Sequence, residues 1–299
     1  LTARVTVNRY WQLHFGVGLV KTLEDFGSQG EWPSHPQLLD WLATEFIESG
    51  WNVKAMHKLM VTSATYQQSS HWLNEGSKSD PDNRLLARGP RFRLDAEMIR
   101  DQALAVSGLL VEQLGGESVR PYQPPGLWRD VVYGNAPRFT QDHGTKLYRR
   151  GMYTYWKRSV PPPSFQAFDA PTREACTLQR SKTNTPLAAL VLMNDPTFVE
   201  ASRKLAERVI KQAGAAPGQR LELAFRLVTG RRPNETEQQK LLAAHRDLLT
   251  GFREDLAAAE QLMKIGESPY DRSLDLAELA AYTAVANALL QLDETITRN

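Results

Sequence analysis

Helical apolar stripes, separated by glycine-bounded breaks, run through the first hundred residues. Ala3, Val7, Tyr10, Trp11 and His14 recur at helical spacing and predict a helix over 2–15, stopped at Gly16 and Gly18. A loop rich in glycine, serine and acids follows. Ser34 then reads as an N-cap with Pro36 in the first turn, and Leu38, Leu39, Leu42 and Phe46 form the stripe of a helix over 35–48 that Gly50 ends. Asn52 caps a third helix, which turns Val53, Met56, Leu59 and Met60 inward and completes a helical hairpin. Residues 69–92 read as a long polar loop. From Leu94 to Gln113 a helix is marked by Ile99, Ala103, Val106 and Leu110, with Gly115-Gly116 to close it.

Between 115 and 185 the pattern changes. Pro121, Pro124-Pro125, Pro137, Pro161-Pro162-Pro163 and Pro171 rule out sustained helix. The run Leu147 to Trp156, rich in aromatic and β-forming residues, is the expected strand, and strands are expected only within 117–185. Helical signals then return. Thr185-Pro186 and Asp195-Pro196 each start a helix, Leu221 to Val228 is a short one ended by Gly230, Asn234 and Glu237 have the form of a capping box, and Ser273 opens the last helix. The expected core includes Trp41, Leu42, Phe46, Leu59, Ile99, Val106 and Leu205.

These patterns predict a mainly α fold: a multi-helical domain with an irregular, proline-rich central segment carrying at most a small β element. The expected organisation is one domain over 1–299, helical over 1–114, irregular with short strands over 115–185, and helical over 186–299. The chain opens inside a helical pattern without an initiator methionine, so a fragment of a larger protein is expected.

Composition narrows the partners. Hydrophobic residues make up 41%, enough for a real core, and 36 basic against 34 acidic residues leave a formal charge of +2. Net charge therefore makes no case for nucleic acid or an anionic membrane. No apolar run is long enough to span a bilayer, and residues 1–15 do not have the form of a signal peptide. With Cys176 as the single cysteine, neither an internal disulfide nor a Cys-x-x-Cys metal or haem-attachment motif exists, and burial as a small apolar residue is expected for it.

Long motifs carry a family resemblance. RVTVNRYWQLHFGVGLVKTLEDFGSQGEWPSHPQLLDWLATEFIESGWNVKAMHKLMVTSATYQQSS (4–70), RLDAEMIRDQALAVSG (93–108), YTYWKRSVPPPSFQAFDAPTREACTLQRSKTNTPLAALVLMNDPTFVEASRKLAER (153–208), TGRRPNETE (229–237) and AAYTAVANALLQLDETITRN (280–299) together resemble the planctomycete-type, cytochrome-c-associated C-terminal domain of unknown function known as PSD. The resemblance implies an exported, periplasmic or secreted protein. In it this domain follows a related planctomycete domain and often a haem-binding cytochrome c domain. Haem is thus implied only on a separate cytochrome domain, with no cofactor in this chain. One departure is visible: after Asn184-Thr185-Pro186 the family usually reads Leu-Gln, and here stands Leu187-Ala188. A site served by that amide would be weakened.

Three constellations are candidates for chemistry, each with a plain structural alternative. The loop Glu24, Asp25, Gly27, Gly30, Glu31, Trp32, His35 gathers carboxylates, an imidazole and an indole between two helices. Asp25, Glu31 and His35 would be the catalytic groups of a hydrolase acting on a carbohydrate, or would simply bond the loop's own backbone. The segment Arg93, Asp95, Glu97, Arg100, Asp101 places Glu97 and Asp101 on one helical face, for a metal, a buried arginine pair, or only a capped helix start. From Lys146 to Lys182, eight basic residues face two acids, a local +6 with tyrosines and Trp156 interleaved. Arg150, Tyr155, Arg158, Asp169, Arg173 and Arg180 are the expected ligand-binding set for carboxylates, sulfates, phosphates or sugar faces, unless the arginines pair with acids of the helices. The acid excess of the loop and the basic excess of the centre predict that the two stretches face one another.

No P-loop, dinucleotide fingerprint, nucleophile elbow or His-Glu-x-x-His motif is present, which argues against the common hydrolase and nucleotide classes. The leading reading is a structural or binding module of an exported multidomain protein, docking a cytochrome c domain or an anionic glycan. The alternative is a carbohydrate hydrolase built on the 25–35 loop. The expected partners are domains of the same polypeptide and a glycan ligand, with no nucleic acid, no membrane span and no metal.

Overall fold

Capping side chains fix where half of the helices begin. Asn52 accepts from the Ala55 amide, Thr185 from Ala188, Asp195 from Thr197, Asn234 from Glu237, Asp255 from Ala258 and Asp275 from Glu278. Each satisfies one of the amide donors that a helix start leaves open. A computed structural model of the chain describes residues 1–70, 80–128 and 138–298. The fold is mainly α. Its helices are α1 (Thr2–Phe15), α2 (Pro36–Glu48), α3 (Val53–Val61), α4 (Ala96–Ser107), α5 (Pro163–Gln166), α6 (Pro186–Asn194), α7 (Pro196–Gln212), α8 (Pro217–Thr229), α9 (Glu235–Glu254), α10 (Leu256–Met263), α11 (Leu276–Leu290) and α12 (Asp293–Ile296).

Two compact units form, the first from Leu1–Arg93, Cys176–Gln179 and Thr297–Asn299, the second from Leu94–Ala175 and Arg180–Ile296. In the first, α1 lies along α2 and α3 around a core of Val7, Trp11, Phe15, Leu42, Phe46, Met56 and Met60. Trp11 stacks on Phe15 at 3.9 Å, and the Asn8 side chain exchanges hydrogen bonds with both backbone groups of Val20, which fixes the exit of α1. In the second unit α7 is the axis. It packs along α11, α4 and α8 and is buried through Phe198, Ala201, Leu205, Ala206 and Val209.

Several expectations are corrected. Trp41 is 51% exposed, because the buried stripe of α2 runs through Leu39, Leu42, Ala43 and Phe46 and Trp41 points off it. Val53, at the mouth of its helix, is exposed, and Leu59 and Val106 are only partly buried. Ser34 gives up the N-cap of α2 to His35. Helix α4 ends at Ser107 rather than Gln113, since Gly108 takes the left-handed conformation, φ 81°, that closes a helix. The long helix opened by Asn234 breaks at Asp255 into α9 and α10, and the final long helix starts from Asp275 rather than Ser273. Cys176 is exposed. Residues 71–79 of the expected 69–92 loop, and Pro137, lie outside the described residues.

The strand expectation fails for a tertiary reason. The run 147–156 is interrupted by two 3-10 turns, Gly144–Tyr148 and Gly151–Tyr153. The buried Arg100 guanidinium donates to the carbonyls of Leu147 and Arg149 at 2.5 and 2.7 Å, and the Asp101 carboxylate accepts from the Gly151 amide at 2.6 Å. Side chains of α4 therefore take the backbone groups that a ladder would have used. Gly151 lets the two segments approach closely: a Cβ there would sit 3.1 Å from the Glu97 Cα, tighter than an ordinary contact. Only isolated bridges remain, Val111 with Arg149 and Val119 with Thr154. The sheet of the described residues lies outside 117–185, where β1 (Phe92–Arg93) pairs antiparallel with β2 (Thr297–Arg298).

Candidate functional site

The loop between α1 and α2 is braced by its own backbone. Asp25 accepts from the Gly27 amide at 2.7 Å, while Thr22 donates its hydroxyl to the Asp25 carbonyl and accepts from the Glu31 amide at 3.0 Å. His35 pairs with the Ser34 hydroxyl at 3.0 Å. Among the described residues Asp25, Glu31 and His35 share no hydrogen bond with one another. Their chemistry as an acid–base set would require such reach or a bridging water. Glu31 and Trp32 border an open groove, to which Asp25 and His35 do not contribute.

In the second unit the basic residues of the centre find two kinds of partner. Acids hold one group: Arg180 meets Glu97 at 2.7 Å and Asp95 at 3.7 Å, and Lys182 meets Asp95 at 3.9 Å. Arg180 and Lys182 thus find their acids at the start of α4, within their own unit. Aromatic faces hold the other: Arg149 lies 3.8 Å over Tyr153, Arg173 4.3 Å over Trp156, Lys157 4.4 Å over Trp128 and Arg120 4.8 Å over Tyr155. Asp169 and Arg173 both sit in the left-handed region, at φ 57° and 64°. Asp169 is held there by the Thr183 amide and hydroxyl, at 2.7 and 2.9 Å. Arg150 and Arg158 are exposed. Of the expected binding set, then, Tyr155 joins Arg120, Arg173 joins Trp156, Asp169 joins Thr183 and Arg180 joins Glu97.

Tyr155 leads to a better-formed place. Trp128 lies 5.5 Å from Phe139 and 5.7 Å from Tyr155, ring to ring. With Arg100, Arg120, Tyr122 and Thr154 these rings enclose a cavity of about 20 Å³. Three of its polar atoms, Arg120 Nε, Trp128 Nε1 and Thr154 Oγ1, are buried without a hydrogen-bond partner. Such orphans are uncommon in folded proteins, and two of the three can only donate. The space is that of a single small group, a water or the tip of an acid.

A buried carboxylate anchors one wall. Glu200, on α7, is 0% exposed and accepts from Tyr122 Oη at 3.0 Å, Tyr148 Oη at 2.9 Å and the Ser268 amide at 2.5 Å. Burial and the neighbouring Glu200 charge push both phenols above their ordinary range, so they remain neutral donors. Arg203, one turn on, donates to the carbonyls of Met263, Ile265 and Ser268. Burial lowers the Arg100 and Arg203 guanidinium pKa values. The Asp101 and Asp195 carboxyls are raised by the same cause. Among the described residues no group of three His, Cys, Asp or Glu is placed to hold a metal, and no helix is long and apolar enough to cross a membrane.

Sequence reasoning passed over Arg120 and Trp128, which precede the +6 stretch and show no periodicity. The available signal was the alternation of cation and ring continued backwards through Arg120-Pro121-Tyr122. A family model described as PSD1, protein of unknown function (DUF1553), matches residues 1–245. No curated protein matches the chain, and no solved structure matches it.

Proposed function

Because this chain belongs to the PSD1 family, proteins of unknown function, its membership brings no activity with it, and we propose from the site itself that it is a binding module of a multidomain polypeptide whose ligand is an acidic saccharide. One observation carries this reading: Arg120 Nε, Trp128 Nε1 and Thr154 Oγ1 stand unpartnered around one cavity walled by aromatic rings. Unmet buried donors call for an acceptor, and a carboxylate or sulfate oxygen is the strongest available. The half-buried Tyr155, flanked by Arg120, offers the flat apolar face on which a sugar ring stacks. Lys157, over Trp128, adds a second cation at the rim.

Methyl glucuronide, set against methyl glucoside in a thermal-shift titration, tests the reading. The uronate is expected to raise the melting temperature in a saturable, salt-sensitive way and the neutral sugar to leave it unchanged. Arg120→Met is expected to remove the response. Equal shifts for both sugars, or none with either, would overturn the proposal.

A further inference from the structure

The loop from Glu24 to His35 serves no purpose in that reading, yet it is firmly built. Its Thr22, Asp25 and Gly27 bonds hold it in shape, and the Ser34 amide ties its end to the Leu19 carbonyl at 2.9 Å. On this braced frame Trp32 is 89% exposed, the most exposed large aromatic side chain among the described residues. A single exposed apolar residue is unremarked on most surfaces. This one stands beside a groove of about 520 Å³, floored by Val20, Phe26 and Leu39 and edged by Pro33 and Pro36.

The rim is acidic. From Leu23 to Leu42 the chain has Glu24, Asp25, Glu31 and Asp40 and neither lysine nor arginine. Arg4 is the cationic side chain among the lining residues, and it is taken by Asp40 at 2.7 Å. The Glu31 carboxylate, also on the lining, has no partner among the described residues. An open indole face next to an unpaired carboxylate is complementary to one kind of side chain. That side chain is a long one with a cationic head, laying its methylenes or guanidinium plane on the ring and its charge against the acid.

We propose that this groove is a docking site for an extended peptide segment carrying arginine or lysine. Trp32 supplies the stacking face, Glu31 the counter-charge, and the apolar floor of Val20, Phe26 and Leu39 receives an adjacent apolar side chain. The polarity is opposite to that of the cavity at Trp128, so the two sites take different ligands and fail independently.

A capped Ala-Arg-Ala-Ala-Arg-Ala peptide, titrated calorimetrically into the full chain, tests this, with its glutamine-for-arginine counterpart as control. Both key side chains are exposed, so Trp32→Ala and Glu31→Gln leave the fold intact, which circular dichroism verifies. The arginine peptide is expected to bind saturably and the glutamine peptide not to bind. Trp32→Ala is expected to weaken binding about tenfold, and Glu31→Gln about threefold with a shallower salt dependence. No binding at millimolar peptide, equal binding of the two peptides, or affinity unchanged in both variants would overturn the proposal. Capture of a neutral oligosaccharide by Trp32 in place of the peptide would do so as well.

Discussion

Glu200 shows how one residue joins distant parts of the second unit. Its carboxylate is completely buried and is satisfied by two phenols and one amide, with the Arg203 guanidinium 3.6 Å away. Shortening it to alanine would strand three donors and leave Arg203 charged in the interior. Glu200→Ala is therefore expected to destabilise by about 3–5 kcal/mol, as breaking a buried charge network does. Tyr148→Phe removes one donor to a charged acceptor and is expected to cost about 1.5–3 kcal/mol. Urea denaturation of the two variants decides this. A loss for Glu200→Ala no larger than for Tyr148→Phe would show that the arginine is stabilised by its three carbonyls alone. None of this was visible beforehand: Glu200 lies within a helical stretch like any surface glutamate, and its burial depends on tyrosines more than fifty residues earlier.

At the level of elements, what was legible is what local chemistry decides. The caps at Asn52, Thr185, Asp195 and Asn234 each close a hydrogen bond within three residues, and each helix begins where its cap predicts. The capping box of α9 is complete: Asn234 accepts from the Glu237 amide at 2.9 Å, and Glu237 accepts from the Asn234 amide at 2.8 Å. Arg231 adds a bidentate pair to Glu237 and another to Glu294, which holds the Glu237 carboxyl down at about 2. Asn234→Ala is expected to cost about 1 kcal/mol and Asn234→Asp almost nothing. Equal losses in thermal melts would show that Arg231, not the cap, starts the helix. The run 147–156 was misread for the opposite reason. Its own residues favour a strand, but Arg100 and Asp101, some fifty positions earlier, hold its backbone in turns. The candidate cavity was illegible in the same way, since Arg120, Trp128, Thr154 and Tyr155 meet only through the fold.

Across the whole molecule, each unit contains a histidine whose surroundings keep it neutral. In the first, His14 on α1 meets His57 on α3 at 2.9 Å, with Arg298 close by over Tyr66; burial first, then these two charges, lowers its pKa. In the second, the buried His245 packs tilted against Tyr282 at 4.1 Å, and burial again lowers it. Below the ordinary value of 6.5 the unfolded chain binds protons that the folded units refuse, so stability falls as the pH drops through that value toward the lower folded one. His14→Gln and His245→Phe are each expected to flatten part of that dependence in calorimetric scans. The raised Asp101 and Asp195 act with the opposite sign and are unchanged in both variants. Scans that keep the full slope in both variants would assign it to other groups. The pairing of β1 with β2 has a consequence for biosynthesis. Phe92 and Arg93 find their strand partners at Arg298 and Thr297, so the unit translated first contains residues translated after all of the second. During synthesis its edge stays open until the second unit has emerged from the ribosome. In this chain the order of completion runs against the order of translation.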